Sequence, residues 1–300
     1  MIMNINHPAE VKIHRYLEDV LNRKRGMSEQ TIARIVRDVA EAVDKQFNAK
    51  EREFTLRMSN VGRPTCQLWF DKNKPESGVD MPANFLMNMM IGDIVEAVFK
   101  GLLSEAGVTF SDGHKVSLKL SGHEISGTHD LTMDGKVDDI KSASPWSYKN
   151  KFHSYDTLAE HDSFGYVGQL AGYAKALGIQ PGGWWVVNKA NGEFKYVAAD
   201  SLDMDTELSK IQDTADAVKR NEFKRCFDAV PETFRKKETG NKVLADECGW
   251  CKYRYNCWPT LQERPSLVSQ AKDPPIIPYI EIDDKYSNTC ADTNTDTDQA

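Results

Sequence analysis

The dipeptide Asp134-Gly135 stands between two runs of alternating apolar and polar residues, and no other feature constrains the chain so tightly. Asp-Gly favours a two-residue hairpin turn, whose central positions both need positive φ. The flanking runs, HEISGTHDLTM (123–133) and KVDDIKSA (136–143), are then predicted to be strands in a defined register. Side chains alternate along a strand, so Asp139 and Lys141 share one face while Asp138 and Ile140 share the other. Val137 and Ile140 ask for a core; Asp138, Asp139 and Lys141 ask for water or a partner. Such a strand is either a solvent-facing edge with a local ion pair or the wall of a site. Asp130, on the preceding arm, can reach the same end of the sheet.

Carboxylates that converge repel each other, and a packed protein tolerates them best around a hard cation such as Mg²⁺ or Mn²⁺. A metal held there polarises a phosphoryl oxygen and activates water. Lys141 suits the positioning of that water or the stabilisation of developing negative charge. Glu96, in GDIVE, lies at the margin of an apolar stripe, where an acid is either a surface group or in need of a cation. Gln169 and Tyr173, in GQLAGY, are one helical turn apart on one face. They belong either to the site or to the polar edge of a packed helix.

Elsewhere the periodicity alternates between helix and strand. SEQTIARIVRDVAEAVDKQF (28–47) has a Ser N-cap and helical spacing of apolar residues. PANFLMNMMIGDIVEAVFKGLLSEAG (82–107) opens with Pro, ends in Gly and predicts a long, mostly buried helix. KVSLKL (115–120) is a further strand. A helix is expected near 157–178, a second hairpin over 183–199 turning on Asn191-Gly192, and a helix near 203–221. EFTLRMSNVGRPTCQLWF (53–70) reads as irregular. This order predicts an α/β fold: a central mixed sheet flanked by helices, with a helical N-terminal region.

Hydrophobic residues make up 40% and charged residues 28% of the 300, the balance of a globular chain with a substantial core. No signal-peptide pattern stands out, and the most apolar run is interrupted by Asn88, Asp93, Glu96 and Lys100. A cytoplasmic location with no membrane partner is the expectation. A net charge of -7 disfavours phosphate binding, but the charge is unevenly spread. Acids gather from Asp283 onward, whereas VKRNEFKRCF and FRKKETGNK, within 218–242, are basic. A local basic groove suffices for nucleic acid, and Lys149 and Lys151 are further candidates for backbone contact. After Pro265 the chain turns Pro-rich and then acidic, and residues 263–300 are expected to form a disordered tail.

Of six cysteines, three crowd into CGWCKYRYNCW as Cys248, Cys251 and Cys257. In a reducing compartment this spacing argues for a metal rather than a disulfide framework. A fourth ligand is needed, and Cys66, Cys226 and Cys290 are open to the role. Zinc and an iron–sulfur cluster both suit four thiolates, and Trp250, Tyr253, Tyr255 and Trp258 would pack around either.

Taken in order, G-x-x-x-E (Gly92, Glu96), GTHD (Asp130), DIK (Asp139, Lys141) and Q-x-x-x-Y (Gln169, Tyr173) resemble the PD-(D/E)XK nuclease superfamily. The likeness is greatest to its RecB-like branch and the related phage exonucleases, over residues 53–260. It implies a restriction-endonuclease-like core over 53–262, behind a helical region over 1–52 and before a tail over 263–300. It implies that Glu96, Asp130 and Asp139 bind Mg²⁺ or Mn²⁺ with the Ile140 carbonyl, and that Lys141 is catalytic. Gln169 and Tyr173 would support the site and touch the nucleic-acid backbone. Glu96 stands where the RecB-like branch often has His, which tilts the resemblance towards the phage relatives. SAS follows the lysine where Thr-Ser or Thr-Gly is common, but Ser142 can still donate to phosphate. His129 is expected to be structural, on the face opposite Asp130.

Iron–sulfur members of the branch, including the CRISPR-associated four-cysteine nucleases, place one cysteine before the core and three after it. MSNVGRPTCQLWF resembles their N-terminal motif, so the resemblance selects Cys66 as fourth ligand of a structural [4Fe–4S] cluster that clamps the ends of the core. Ser59 and Arg63 lie in that segment, and the planar fork of Arg63 suits a DNA phosphate. The implied activity is that of a metal-dependent, phage-encoded DNA exonuclease of recombination, repair or degradation. It would act in the host cytoplasm, beside a recombination or single-strand-binding protein, as a monomer or an oligomer. DNA would lie between the strand meander and the N-terminal helices. The alternatives are an inactive nucleic-acid-binding scaffold and an endonuclease of the same superfamily.

Overall fold

The structure, a computed structural model, describes residues 6–48 and 53–287. It divides into two compact units, Met1–Arg63 with Pro82–Asn221, and Pro64–Met81 with Glu222–Ala300. No boundary falls near residue 52. The chain leaves the first unit at Arg63 and returns at Pro82, an excursion that no shift of composition marks.

In the first unit a five-stranded mixed sheet has the spatial order Ser111–Asp112, Leu131–Met133, Lys136–Ala143, Gln180–Asn188, Phe194–Ala198. Lys136–Ala143 and Gln180–Asn188 are parallel, and the other pairs are antiparallel. Parallel neighbours need a crossover, which the helices Pro145–Lys149, Tyr155–Glu160 and Tyr166–Leu177 supply. One sheet face, with Val137, Trp184 and Val197, packs on Val167, Leu170 and Ala174. The other, with Ile140, Trp185 and Tyr196, packs on Phe99 and Leu103 of Ala83–Glu105 and on Ile13 of Pro8–Leu21. The fold is α/β, a mixed sheet flanked by helices.

The Asp-Gly hairpin forms as its sequence predicts: Met133 pairs with Lys136, and Asp134 and Gly135 take φ of 51° and 75°. The arm before it is not one strand. His123–Thr128 pairs with Lys115–Leu120 in a separate two-stranded sheet, and the chain changes sheets at His129-Asp130. The helix expected near 157–178 is also divided, because Gly165 takes φ of 75° between Tyr155–Glu160 and Tyr166–Leu177. Gly165 lies so close to Gly62 that a Cβ on either would overlap the other's backbone. Gly62→Ala should therefore destabilise the first unit by roughly 1–3 kcal/mol, the usual cost of overpacking. A melting curve shifted down by several degrees would show it.

Ser28 caps Glu29–Phe47 by accepting from the Thr31 N–H at 3.2 Å. Ala83–Glu105 forms as expected but is not mostly buried. Ala97, Phe99 and Leu103 are inside, whereas Phe85, Met87 and Met89 are exposed, because the sheet meets only its second half.

In the second unit Thr65–Asn73, expected to be irregular, is a helix with Leu68 and Phe70 buried. Four antiparallel strands run in the order Gln262–Pro265, Ile276–Glu281, Lys237–Val243, Val230–Phe234. Ile276–Glu281 falls in the stretch expected to be a disordered tail. Tyr279 and Ile280 are buried there, and the Tyr279 hydroxyl donates to Glu232 at 2.9 Å, a partner the Pro-rich composition conceals. Residues 288–300, with Cys290, lie outside the described residues. Among the described residues no helix is long and apolar enough to cross a membrane.

Candidate metal and cluster sites

The strand Leu131–Met133 is short. It pairs with residues 136–138 and stops, leaving the same edge of Lys136–Ala143 unpaired beyond Asp138. Asp130 takes the next rung: the Ile140 N–H donates to its Oδ2 at 2.7 Å. The N–H and C=O of one strand residue point to the same side, so the Ile140 carbonyl opens onto the edge that Asp130 occupies.

Asp139 and Lys141 lie on the face towards Tyr166–Leu177. The Lys141 ammonium donates to Asp139 Oδ1 at 2.9 Å and to Gln169 Oε1 at 3.4 Å. It lies 2.7 Å from Asp139 Oδ2 but out of line, so that buried oxygen has no hydrogen bond. Lys141 also sits 4.8 Å from the centroid of the Tyr166 ring. Burial alone would lower its pKa, but Asp139 and Asp130 outweigh burial and raise it, so the ammonium stays charged.

Glu96 projects from Ala83–Glu105, and Lys100 donates to it at 2.6 Å. Burial raises the pKa of Glu96, and the charge of Asp130 adds to the rise. Asp130 is pushed up to about 6, by burial first and by Asp139 second. Asp139 is raised by burial, with Lys141 opposing and Glu96 adding. Three acids from a helix, a sheet switch and a strand therefore feel one another's charge.

In this arrangement protein cations hold the acids, and among the described residues no three His, Cys, Asp or Glu side chains stand close enough to hold a metal ion. The donor set still suits a hard cation. It consists of carboxylates in mutual repulsion, one buried oxygen without a hydrogen bond, and a main-chain carbonyl on the same edge.

The other expected site residues fall in several places. Gln169 meets Lys141, but Tyr173 does not face a nucleic acid: it is 3% exposed and donates to the Thr128 carbonyl at 2.7 Å. It holds the chain just before Asp130, drawn inward by the core. Ser142 points to the face opposite Lys141, where Gly92 approaches it. Ser59 is exposed and Arg63 half-buried, and the charge of Arg63 acts on Tyr166. Lys149 is exposed. Lys151 is buried, with its ammonium 3.9 Å from Asp162 and 4.5 Å from the Tyr166 centroid, so it is no surface contact. His129 is buried, its Nδ1 3.1 Å from the His114 carbonyl oxygen, in keeping with a structural part. Lys100 and Tyr166 escaped the sequence reading. The i,i+4 spacing of Glu96 and Lys100 was a legible sign of their pairing; nothing local marked Tyr166.

Asp138 belongs to the opposite face. Its Oδ1 accepts from the Tyr196 hydroxyl at 2.8 Å, and burial pushes its pKa up to about 7 from 3.8. A carboxyl raised in the fold binds protons more tightly there than in the unfolded chain. Its contribution is therefore fully present at low pH and is lost as pH rises from 3.8 to about 7. Asp138→Asn keeps an acceptor for Tyr196 and cannot ionise. The variant should melt several degrees above the parent at pH 8, and the gap should close as the pH falls below 5, a comparison for calorimetry.

In the second unit one pocket is lined by Cys66, Cys248, Cys251 and Cys257, with Phe70, Tyr253 and Trp258 around them. The helix Thr65–Asn73 presents Cys66, and the short turns Asp246–Gly249 and Arg254–Cys257 present Cys248 and Cys257. All five described cysteines are free thiols. Burial raises Cys248 to about 11 and raises Cys251. Tyr253 is fully buried, stacks on Phe70 with centroids 4.9 Å apart, and donates to Asp71 at 2.6 Å. Trp250, expected among the packing aromatics, is 87% exposed, and Tyr255 does not line the pocket.

No family model and no curated protein matches the chain. The crystal structure of SSO0001 is similar to it at a TM-score of 0.39 and 13% identity, over 59% of this chain and 83% of that one.

Proposed function

We propose that the chain is a metal-dependent DNA exonuclease of PD-(D/E)XK type, with a [4Fe–4S] cluster in its second unit. The observation that carries the reading is the interrupted ladder at Ile140. There Asp130 replaces a strand, next to buried Asp139 and its Lys141 partner, within the electrostatic reach of Glu96. Repelling acids gathered at a sheet edge have a physical reason to persist if a cation joins them. Glu96, Asp130, Asp139 and the Ile140 carbonyl would hold Mg²⁺ or Mn²⁺. The bound metal supplies Lewis acidity towards a phosphoryl oxygen and a more acidic water. Lys141, held charged by the acids and aligned by Gln169 and Tyr166, orients the attacking water and offsets charge on the phosphate oxygens. Tyr173 and the Ile140 N–H hold Asp130 in place from either side of the sheet switch. Arg63 and Ser59 are the proposed phosphate contacts. The proposed setting is recombination, repair or degradation of DNA in the cytoplasm of a phage host.

Four cysteines line one pocket, a donor set that suits either zinc or an iron–sulfur cluster. Zinc needs four sulfurs each about 2.3 Å from one centre, whereas a cluster spreads its ligands more widely. The preference for iron–sulfur over zinc rests on the resemblance to the four-cysteine nucleases.

The deciding assay incubates the purified chain with end-labelled linear DNA and Mg²⁺ or Mn²⁺, with a chelator control. Terminal nucleotides should be released only with the metal, and closed circular DNA should resist. Intact linear DNA under all conditions would leave a binding scaffold as the better reading; cut circles would make the chain an endonuclease. A broad absorption near ~400 nm, from sulfur-to-iron charge transfer, should accompany the pure protein.

A further inference from the structure

We propose that Cys66 and Cys226 form a thiol redox site: without a bound cluster they close a reversible disulfide on meeting a low-molecular-weight disulfide such as oxidised glutathione. The consequence for cluster loading rests on the reading above; the disulfide itself does not.

Cys226 is exposed, and it is absent from the lining of the four-cysteine pocket. Its sulfur lies behind Cys66 instead. It accepts the Cys66 N–H at 3.2 Å and is 3.3 Å from the Thr65 hydroxyl. The nearby Cys226 sulfur, ahead of burial, raises the pKa of the Cys66 thiol. Arg225 fastens the segment, donating to the Cys257 carbonyl at 2.7 Å while its guanidinium lies 3.8 Å from the centroid of the Trp258 ring. Cys66 therefore faces two ways, towards the pocket as a ligand and towards Cys226 as a thiol.

The chemistry needs no group beyond the named oxidant. Cys226, losing its proton, attacks one sulfur of oxidised glutathione; the sulfur–sulfur bond breaks, and one glutathione leaves as thiolate and takes up a proton. Cys66 then loses its proton and displaces the second glutathione. Two protein thiols are oxidised, and one small disulfide is reduced to two thiols. Exposure makes Cys226 the first to react, because access governs which cysteine an external disulfide reaches. With Cys66 so engaged, cluster assembly waits on reduction.

The test uses the full chain. Iron is measured first and stripped with a ferrous chelator under reductant. The reductant is then removed, oxidised glutathione is added, free thiols are alkylated, and the tryptic peptides are read by mass spectrometry. The Cys66 and Cys226 peptides should appear linked, both thiols lost to alkylation and both restored by dithiothreitol. The iron-loaded chain given the same treatment should show neither change at Cys66. A Cys226 that stops at a glutathione adduct, or a Cys66 linked mainly to Cys248, Cys251 or Cys257, overturns the proposal. A chain that never carries iron but still forms the pair sinks the cluster reading and leaves this one standing.

Discussion

Asp130→Asn should lose cleavage and gain stability in the same variant. Its asparagine Oδ1 can still accept the Ile140 N–H, so the ladder substitute survives. What disappears is a negative charge beside Asp139 and near Glu96, each of which is raised in pKa by burial and by its acidic neighbours. Removing one of the repelling acids should stabilise the metal-free fold by about 1 kcal/mol, or 2–4 °C in Tm for a unit of this size. The same change removes a proposed metal ligand, and cleavage should fall by at least about 10²–10³-fold, the scale of losing one charge-stabilising group at a reacting centre. Lys141→Ala should match that loss of activity with the opposite effect on stability. It strips Asp139 of its buried cation, and breaking a buried pair costs roughly 3–5 kcal/mol. Melting and nuclease assays on the two variants separate a catalytic cluster from a structural one. If either retains full cleavage, the acids are not a reaction centre.

The second large effect lies in the cysteine pocket. Cys257→Ala should reduce iron from about four atoms per chain towards none and abolish the absorption near ~400 nm. Because ligand binding and folding share one free energy, the second unit should lose several kcal/mol of stability and become prone to proteolysis. Cys226→Ser should keep its iron, since that side chain lies outside the pocket. Equal iron in Cys257→Ala and the parent would remove Cys257 from the ligand set.

Local rules accounted for much of what positions the first site. The Asp-Gly turn and strand alternation placed Asp139, Lys141 and Ile140 on their observed faces, because both are set by backbone geometry within a few residues. The helix cap at Ser28 was legible for the same reason. The break at His129-Asp130 was not, although Asp130 depends on it. It arises from pairing with Lys115–Leu120, and only tertiary contact shows where that pairing ends. Tyr173 misled because the same one-turn spacing from Gln169 serves a core residue and a surface one equally. In the second unit, Ile276–Glu281 was hidden by its proline: Pro278 lies inside the strand, and composition could not reveal that Glu232 awaits Tyr279 from it, or Asn241 the Asp283 N–H just beyond it.

The rung that Asp130 shares with Ile140 separates what position 140 does from the letter written there. Only the peptide group of Ile140 meets the acid, while its side chain is given over to the interior on the far face. Valine or leucine would present the same amide. Drift among aliphatic residues at this position should therefore pass unnoticed by the chemistry next door, and a proline, which has no amide hydrogen, should not.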